Sequence, residues 1–517
     1  MDRSLALPSF QERVRKTITG MSGHDHENRE PHERTALLGN GRVPTNGSAD
    51  RIHQHFQRGG AWQFFFNSRH TPGTDHPKPV VKYPANVWHV TKATLLSSPV
   101  NILLFAVPIG IVAGQARWDP IAVFVINFFA IIPLAAVLSF ATEEISAKLG
   151  EALGGLLNAT FGNAVELIVS IIALRDRQIE VVKSSMIGSI LSNLLLVMGM
   201  CFFFGGIVNM RDELGNGQEQ SFRTITAQTT SSLMALSAAS IVLPGTLFMI
   251  INGGKGDDVE RNHIVLSLSR GTAVILLLLY VLYLWFQLRT HHNLFSGECV
   301  LESQPESQPI ANGNGNGVLP NGTAEHGLSA IAEDHHRHEL DEEPHMSPWS
   351  AGAVLIVTTV LVSICADYLV ESIDDLVERA HISRSFIGLI LIPIVGNAAE
   401  HVTAVVVAIK NKMDLAMGVA IGSSIQIALF VTPFLVVLGW IMDREMDLHF
   451  ETFETVAFAL SVLVVIYTVQ DGNSNYLEGA MLMALYVIIA LAFFVTPSQY
   501  FSADWAVGQI ASIFQSA

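Results

Sequence analysis

Two short strings place a carboxylate inside apolar stretches: Gly162-Asn163-Ala164-Val165-Glu166 and Gly396-Asn397-Ala398-Ala399-Glu400. They lie 234 residues apart, and the offset extends beyond them. Gly154 matches Gly388, and Gly188-Ser189 matches Gly422-Ser423. A carboxylate in a bilayer costs about 2.5–3.5 kcal/mol on insertion scales, so intramembrane acids are functional candidates by default. A matched pair, one per half of an internal repeat, points to a binding site at the interface between the halves.

The neighbouring residues extend the donor set. Asn163 and Glu166 stand at i and i+3 on one helical face, as do Asn397 and Glu400. Gly162 and Gly396 permit a local break, which would free backbone carbonyls as ligands. Such breaks at membrane depth are tolerated only where they line protein or a water-filled cavity. Pro393 removes a helical hydrogen bond and predicts a kink before Gly396. The next apolar run of each half adds Ser189, Ser192 and Asn193 in the first, and Ser423, Ser424 and Gln426 in the second. Glu166 to Ser192 and Glu400 to Gln426 are the same distance along the chain, so the halves offer matched oxygens.

All these groups are oxygen donors. Hard cations such as Ca²⁺ take carboxylate, carbonyl and amide oxygens, and Mn²⁺ accepts a similar set. Two carboxylates neutralise one dication, and like charges at low dielectric favour protons once the metal leaves. A site holding either a dication or protons is an exchanger. The expected ligands are therefore Ca²⁺, with Mn²⁺ as a second candidate, and H⁺; no cofactor is expected. A lone Ser189 or Ser424 reads better as a helix-packing hydrogen bonder, whereas the paired glutamates do not.

Half of the 517 residues are hydrophobic, 15% are charged and the mean hydropathy is +0.40. A soluble chain would carry more charge. Eleven stretches approach the roughly 20 apolar residues that span a bilayer. They lie near 98–115, 118–140, 150–173, 184–209, 225–251, 264–288, 349–370, 385–409, 415–441, 450–470 and 476–496. The expected fold is an all-α integral membrane protein with one extra helix and two five-helix repeats. Five spans per half is an odd number, so the repeats are inverted. The expected organisation is a disordered cytosolic tail over 1–97, the first helix and repeat over 98–288, a cytosolic linker over 289–347, the second repeat over 348–497 and a C-terminal tail over 498–517. Lys78, Lys82 and Lys92 before the first span favour a cytosolic N-terminus.

The linker contains an Asn- and Gly-rich part, 311–322, and the acidic, His-rich stretch EDHHRHELDEEPH over 333–345. That stretch fits a solvated charge run, and it fits equally a cation-attracting or pH-sensing segment. The net charge of −16 argues against nucleic acid as a partner, leaving the lipid bilayer and the transported ions. The three cysteines read as free thiols. No nucleotide loop or nucleophile motif interrupts the spans, so no enzyme is expected.

The strings GGLLNATFGNAVELIVS and GLILIPIVGNAAEHVTAVVVAIKNKMDLAMGVAIGSSIQIALFV resemble the two signature repeats of the vacuolar calcium/proton exchangers. These form the cation/proton exchanger branch of the calcium/cation antiporter superfamily. The resemblance covers about residues 95–497. It implies eleven transmembrane helices, with Glu166 and Glu400 as the central cation and proton carriers and Asn163, Asn397, Ser192 and Gln426 beside them. It also implies a multi-pass protein of the vacuolar membrane. Glu33-Arg34-Thr35-Ala36-Leu37-Leu38 has the form of an acidic dileucine sorting signal, a receptor-read address.

Two other readings compete with a proton-driven calcium antiporter. One is a sodium-driven calcium exchanger of the same superfamily. The other is a passive cation channel, which deep paired glutamates disfavour because conduction needs weak binding. A ten-thousandfold Ca²⁺ gradient costs about 5.6 kcal/mol. One proton falling through about two pH units returns about 2.8 kcal/mol, so at least two protons are needed per calcium.

Overall fold

The computed structural model describes residues 71–291 and 346–495, apart from 75, 150, 213 and 253–257. The expected dileucine string, the 311–322 and 333–345 segments and the tail after 495 lie outside the described residues.

The described chain is almost wholly helical. The first half contains α1 (Pro79–Leu96), a 3₁₀ turn Pro99–Phe105 leading into α2 (Ala106–Gln115), α3 (Pro120–Leu149), α4 (Glu151–Phe161), α5 (Ala164–Arg175), α6 (Ile179–Leu191), α7 (Met198–Val208), α8 (Thr224–Asn252) and α9 (Asp258–Trp285). The second contains α10 (Pro348–Glu371), α11 (Ile373–Ala380), α12 (Arg384–Phe386), α13 (Ile392–Gly396), α14 (Ala398–Ile409), α15 (Met413–Gln426), α16 (Thr432–Ile441), α17 (Thr452–Thr468) and α18 (Tyr476–Val495). Two-residue strands, β1 (Gln220–Ser221) and β2 (Asn473–Ser474), pair antiparallel.

Among the described residues, seven helices are long and apolar enough to cross a membrane. Two sharply bent pairs bring the number to nine: Pro79–Leu96 with Pro99–Gln115 at 112°, and Arg384–Gly396 with Ala398–Ile409 at 59°. The expected disordered tail up to residue 97 needs correction. Residues 79–96 form α1, started by Pro79 at its first turn, where a missing N–H costs nothing. Its Lys92 is buried and donates to Thr71 Oγ1 at 2.8 Å, so it is not a free surface charge.

The 234-residue offset recurs in the helix bounds. It relates α5 to α14 at both ends and the start of α6 to the start of α15. It also relates two left-handed residues that turn the chain after α5 and α14, Arg177 (φ 62°) and Asn411 (φ 61°). π-helical turns follow α6 at Ser192–Val197 and α15 at Ile427–Val431. π-bulges concentrate at functional positions.

Side-chain contacts sort the helix ends onto two faces. On one, Asn209 donates to the Ile409 carbonyl, Gln220 to the Asn411 side chain, and the Met346 N–H to Glu144. Residues 291 and 346, which flank the undescribed linker, belong with this side, hereafter the linker face. On the opposite face, Arg175 pairs with Asp367, Arg379 with Asp119 and Arg384 with Asp374. The turn after α5 thus lies on the face opposite the turn after α14.

The core between the halves is continuous. Leu134 and Leu138 of α3, Val362 and Ala366 of α10, and Ile187 and Leu191 of α6 belong to one buried cluster. Glycines set the closest approach: a Cβ on Gly388 would stand 2.8 Å from Ser184 Cβ, and one on Gly188 would strike the Leu389 carbonyl. The core therefore brings the two broken helices, α4–α5 and α13–α14, to the centre of the molecule.

Candidate functional site

Both signature strings fall at helix breaks. The first helix stops at Phe161 and restarts at Ala164, with Gly162 and Asn163 between them. The second stops at Gly396 and restarts at Ala398, with Asn397 (φ −90°, ψ 4°) at the break. Glu166 and Glu400 occupy the first turn of the restarted helix in each half. A carboxylate there faces the positive end of the helix dipole.

Glu166 is 3% exposed, and neither carboxylate oxygen has a hydrogen-bond partner among the described residues. Its carboxylate lies against Gly396: a Cβ there would come within 2.9 Å of Glu166 Cδ and still closer to Oε1. Gly396 thus holds space for the acid of the other half, a role that sequence spacing did not reveal. Gly162 differs, since a Cβ there would meet the Asn158 carbonyl at 2.8 Å, within its own broken helix.

A chain of amides and hydroxyls joins the halves. Asn163 Nδ2 donates to Gln426 Oε1 at 2.6 Å. Ser423 Oγ donates to Asn163 Oδ1 at 2.9 Å and accepts from Asn193 Nδ2 at 3.0 Å. Ser423 also lies in hydrogen-bonding range of Glu400, whose Oε2 has no partner. Both polar atoms of Asn397, Oδ1 of Asn193 and Oγ of Ser189 are likewise buried without partners among the described residues.

The structure thus brings together Asn163, Gln426, Ser423, Asn193 and Glu400, and sets Glu166 beside Gly396. Ser424 stands apart: its hydroxyl donates to the Ala420 carbonyl of its own helix. Ser192 Oγ stands 3.1 Å from Nε2 of His401. The sequence reading missed His401; its signal was its place next to Glu400, where the first half has Leu167.

A cavity of about 410 Å³ runs to this cluster from the linker face. Glu143, Asn158, Arg223 and Asp414 stand on its wall, and Glu400 and Gln426 lie at its inner end. Glu166 is not on the wall. Among the described residues no three His, Cys, Asp or Glu side chains gather as metal ligands, so a cation here would rest on two carboxylates with amide, hydroxyl and carbonyl oxygens.

Comparison with known families identifies the kind of chain that carries this arrangement. The family model described as sodium/calcium exchanger protein matches residues 120–289 and 350–495. The chain belongs to this sodium/calcium exchanger family. It is 46% identical over 412 residues to the vacuolar calcium ion transporter of Schizosaccharomyces pombe, covering 80% of this chain and 88% of that protein. It is 40% identical over 404 residues to vacuolar cation/proton exchanger 3 of Oryza sativa, covering 78% and 87%. Among solved structures, the Ca²⁺/H⁺ antiporter protein YfkE matches with a TM-score of 0.58 and 34% identity, over 77% of this chain and 99% of that one. The two matched family segments cover α3 to α9 of the first half and α10 to α18 of the second.

Proposed function

We propose that this chain is a proton-driven calcium antiporter of the vacuolar membrane, moving Ca²⁺ from the cytosol into the vacuole against a return of protons. The observation that carries this reading is the pair of glutamates at matched helix breaks, Glu166 buried and Glu400 at the inner end of the cavity, in a chain akin to named calcium transporters and Ca²⁺/H⁺ antiporters. The reading places Ca²⁺ on Glu166 and Glu400, with oxygens of Asn163, Asn397, Ser192 and Gln426 beside it. Ser189, Asn193 and Ser423 stand next to these, and Ser424 serves packing. Mn²⁺ suits the same oxygens.

Two protons replace the dication. Ser423 has one hydroxyl hydrogen to give. With Glu400 ionised, that hydrogen turns to the carboxylate. With Glu400 protonated, the acid donates to Ser423 and the serine donates to Asn163. The charge on one half is thereby passed to the hydrogen bonds of the other.

We further assign eleven spans: one outside two inverted five-helix repeats, with the 289–347 linker in the cytosol. The cavity then opens to the cytosol, and this conformation receives Ca²⁺ from that side. The contacts at the opposite face would have to part for release, as alternation between inverted repeats requires.

Purified protein in sealed vesicles tests the driving ion. Ca²⁺ uptake is expected with an imposed pH gradient and not with a Na⁺ gradient alone. Uptake driven by Na⁺ alone would move the chain to the sodium-driven reading. Uptake down the Ca²⁺ gradient without counter-ion movement would make it a channel.

A further inference from the structure

The face opposite the cavity carries a second group of acids, Glu454 buried and Glu180 and Glu451 half-buried. Glu180 stands in the first turn of α6, Glu451 precedes α17, and Glu454 lies in its first turn. Glu454 is 1% exposed and accepts from Ser184 Oγ at 2.5 Å. The buried Ser385 Oγ stands 3.3 Å from an oxygen of Glu180 and 3.3 Å from an oxygen of Glu451. Three carboxylates thus meet two hydroxyls at the junction of α6, α12 and α17.

The flanking cations make their hydrogen bonds elsewhere, with Arg384 still close to Glu180 and Lys183 close to Glu451. Lys183 bonds Asp447 at 2.5 Å and the His449 carbonyl at 2.8 Å. Arg384 pairs with Asp374 at 2.8 Å, and the His449 ring packs on Phe248. An ionised carboxylate only accepts, and each serine supplies one hydrogen. Two hydrogens cannot satisfy three ionised carboxylates, and at low dielectric their charges repel. Glu454, wholly buried with a single hydroxyl donor, is therefore the acid of the group placed to retain a proton.

Its position gives that proton a consequence. Deeper along α6, Gly188 lies against the Leu389 carbonyl, and Ser189 and Ser192 of the central site follow. For the site to face this side, α6 must part from α12–α13 and α17, the elements the cluster joins. The 234-residue offset relates Glu180 to Asp414, which lines the open cavity on the linker face. Matched positions thus carry an acid at the open mouth and an acid at the closed one.

We infer that Glu451 and Glu454, with Glu180 beside them, are positioning residues that gate the second mouth, holding it shut while the Glu451–Glu454 pair shares a proton and releasing it when the pair ionises. The inference rests on the antiport reading for its purpose: acid on that side would restrain re-entry of released Ca²⁺ through the second mouth.

The test is accessibility, which needs no ion gradient. Cys201, Cys299 and Cys365 are replaced by Ala in the full chain, and Ser185→Cys is added as reporter. Ser185 is 3% exposed, one residue from Ser184 and beside Gly388. Labelling by a membrane-impermeant maleimide is followed from about pH 5.5 to about pH 8 in this parent and with Glu454→Gln, which keeps an accepting oxygen but cannot ionise. The ratio of the two rates at each pH cancels the thiol's own chemistry. The expected ratio is near one in acid and rises several-fold toward alkaline pH, with Glu454→Asp restoring the parent behaviour. A ratio near one throughout overturns the gate.

Calorimetric Ca²⁺ binding reports whether the Gln variant is folded. If it is not, Ser385→Ala decides on the same background. Loss of the shared donor should raise labelling at alkaline pH, and unchanged labelling overturns the inference. Failure of the gate leaves vesicle uptake standing, and failure of proton-driven uptake leaves the labelling result standing.

Discussion

At the scale of residues, two kinds of contact separate the groups that carry ions from those that hold them. Glu166 and Glu400 are acids with unpartnered oxygens, whereas Ser424 is spent on its own helix. Glu166→Gln and Glu400→Gln each keep size and polarity but lose the exchangeable proton and the neutralising charge. Each should abolish pH-gradient-driven Ca²⁺ uptake while the protein stays folded, as measured by vesicle flux and thermal unfolding. Normal uptake in either variant would remove that glutamate from the central site. The two signature glycines should behave differently. An added methyl at Gly396 runs into the Glu166 carboxylate, and overpacking costs about 1–3 kcal/mol. Gly396→Ala should therefore weaken Ca²⁺ binding about tenfold or more, read by calorimetry. At Gly162 the methyl presses on the Asn158 carbonyl of its own helix and only touches Gln426 Oε1 at 3.9 Å, so Gly162→Ala should slow turnover more than it weakens binding. Equal losses of binding in both variants would reject this distinction. The sequence placed both glycines at breaks, but spacing along one chain cannot report a side chain arriving from the other half.

At the scale of elements, what was legible followed local chemistry. Pro393 and the Gly-Asn pairs predicted broken helices, and breaks occur at 162–163 and at 397. The apolar runs located the helices because hydropathy is a local property, and the offset of 234 residues carried through to their bounds. Three features escaped. Helix α1 was hidden by its Lys, His and Asn residues, which lowered the hydropathy that marks a span. The π-helical turns at Ser192–Val197 and Ile427–Val431 depend on packing against the other half. The Ser192–His401 contact joins residues 209 positions apart. Close packing between α6 and the Ile387–Leu391 turn yields a further prediction. Gly388→Ala would press on Ser184 Cβ at 2.8 Å and on the Val181 carbonyl at 3.0 Å. Backbone cannot give way as a flexible side chain can, so a loss of about 1–3 kcal/mol is expected. Lowered thermal unfolding in detergent would register it, while Gly352→Ala, which meets nothing within 4 Å, should be neutral. Equal unfolding temperatures in the two variants would show that this interface is loose.

At the scale of the whole molecule, the two faces differ in a way that alternation must reverse. One is open along a cavity with Glu143 and Asp414 on its wall; the other is closed by cross-element ion pairs such as Arg175–Asp367 and Arg379–Asp119. Acids at a mouth raise the local concentration of a dication before it reaches the central glutamates, and salt screens that effect over roughly 8–10 Å. Asp414 lies far enough out to act in this way: its carboxylate accepts the Arg223 backbone N–H at 2.7 Å at the start of α15. Asp414→Asn should therefore weaken apparent Ca²⁺ affinity for uptake from the linker face, most at low ionic strength, with a smaller change in maximal rate. Neutralising the acids of residues 333–343 together with Asp414 should add to the effect. Initial uptake rates against Ca²⁺ concentration, at low and physiological salt, measure both. If affinity does not change at low salt in the Asp414 variant, the cavity wall makes no electrostatic contribution and the central glutamates capture the ion unaided. If Asp414→Asn lowers only the maximal rate, Asp414 belongs to the moving mouth, as its partner position Glu180 does on the other face.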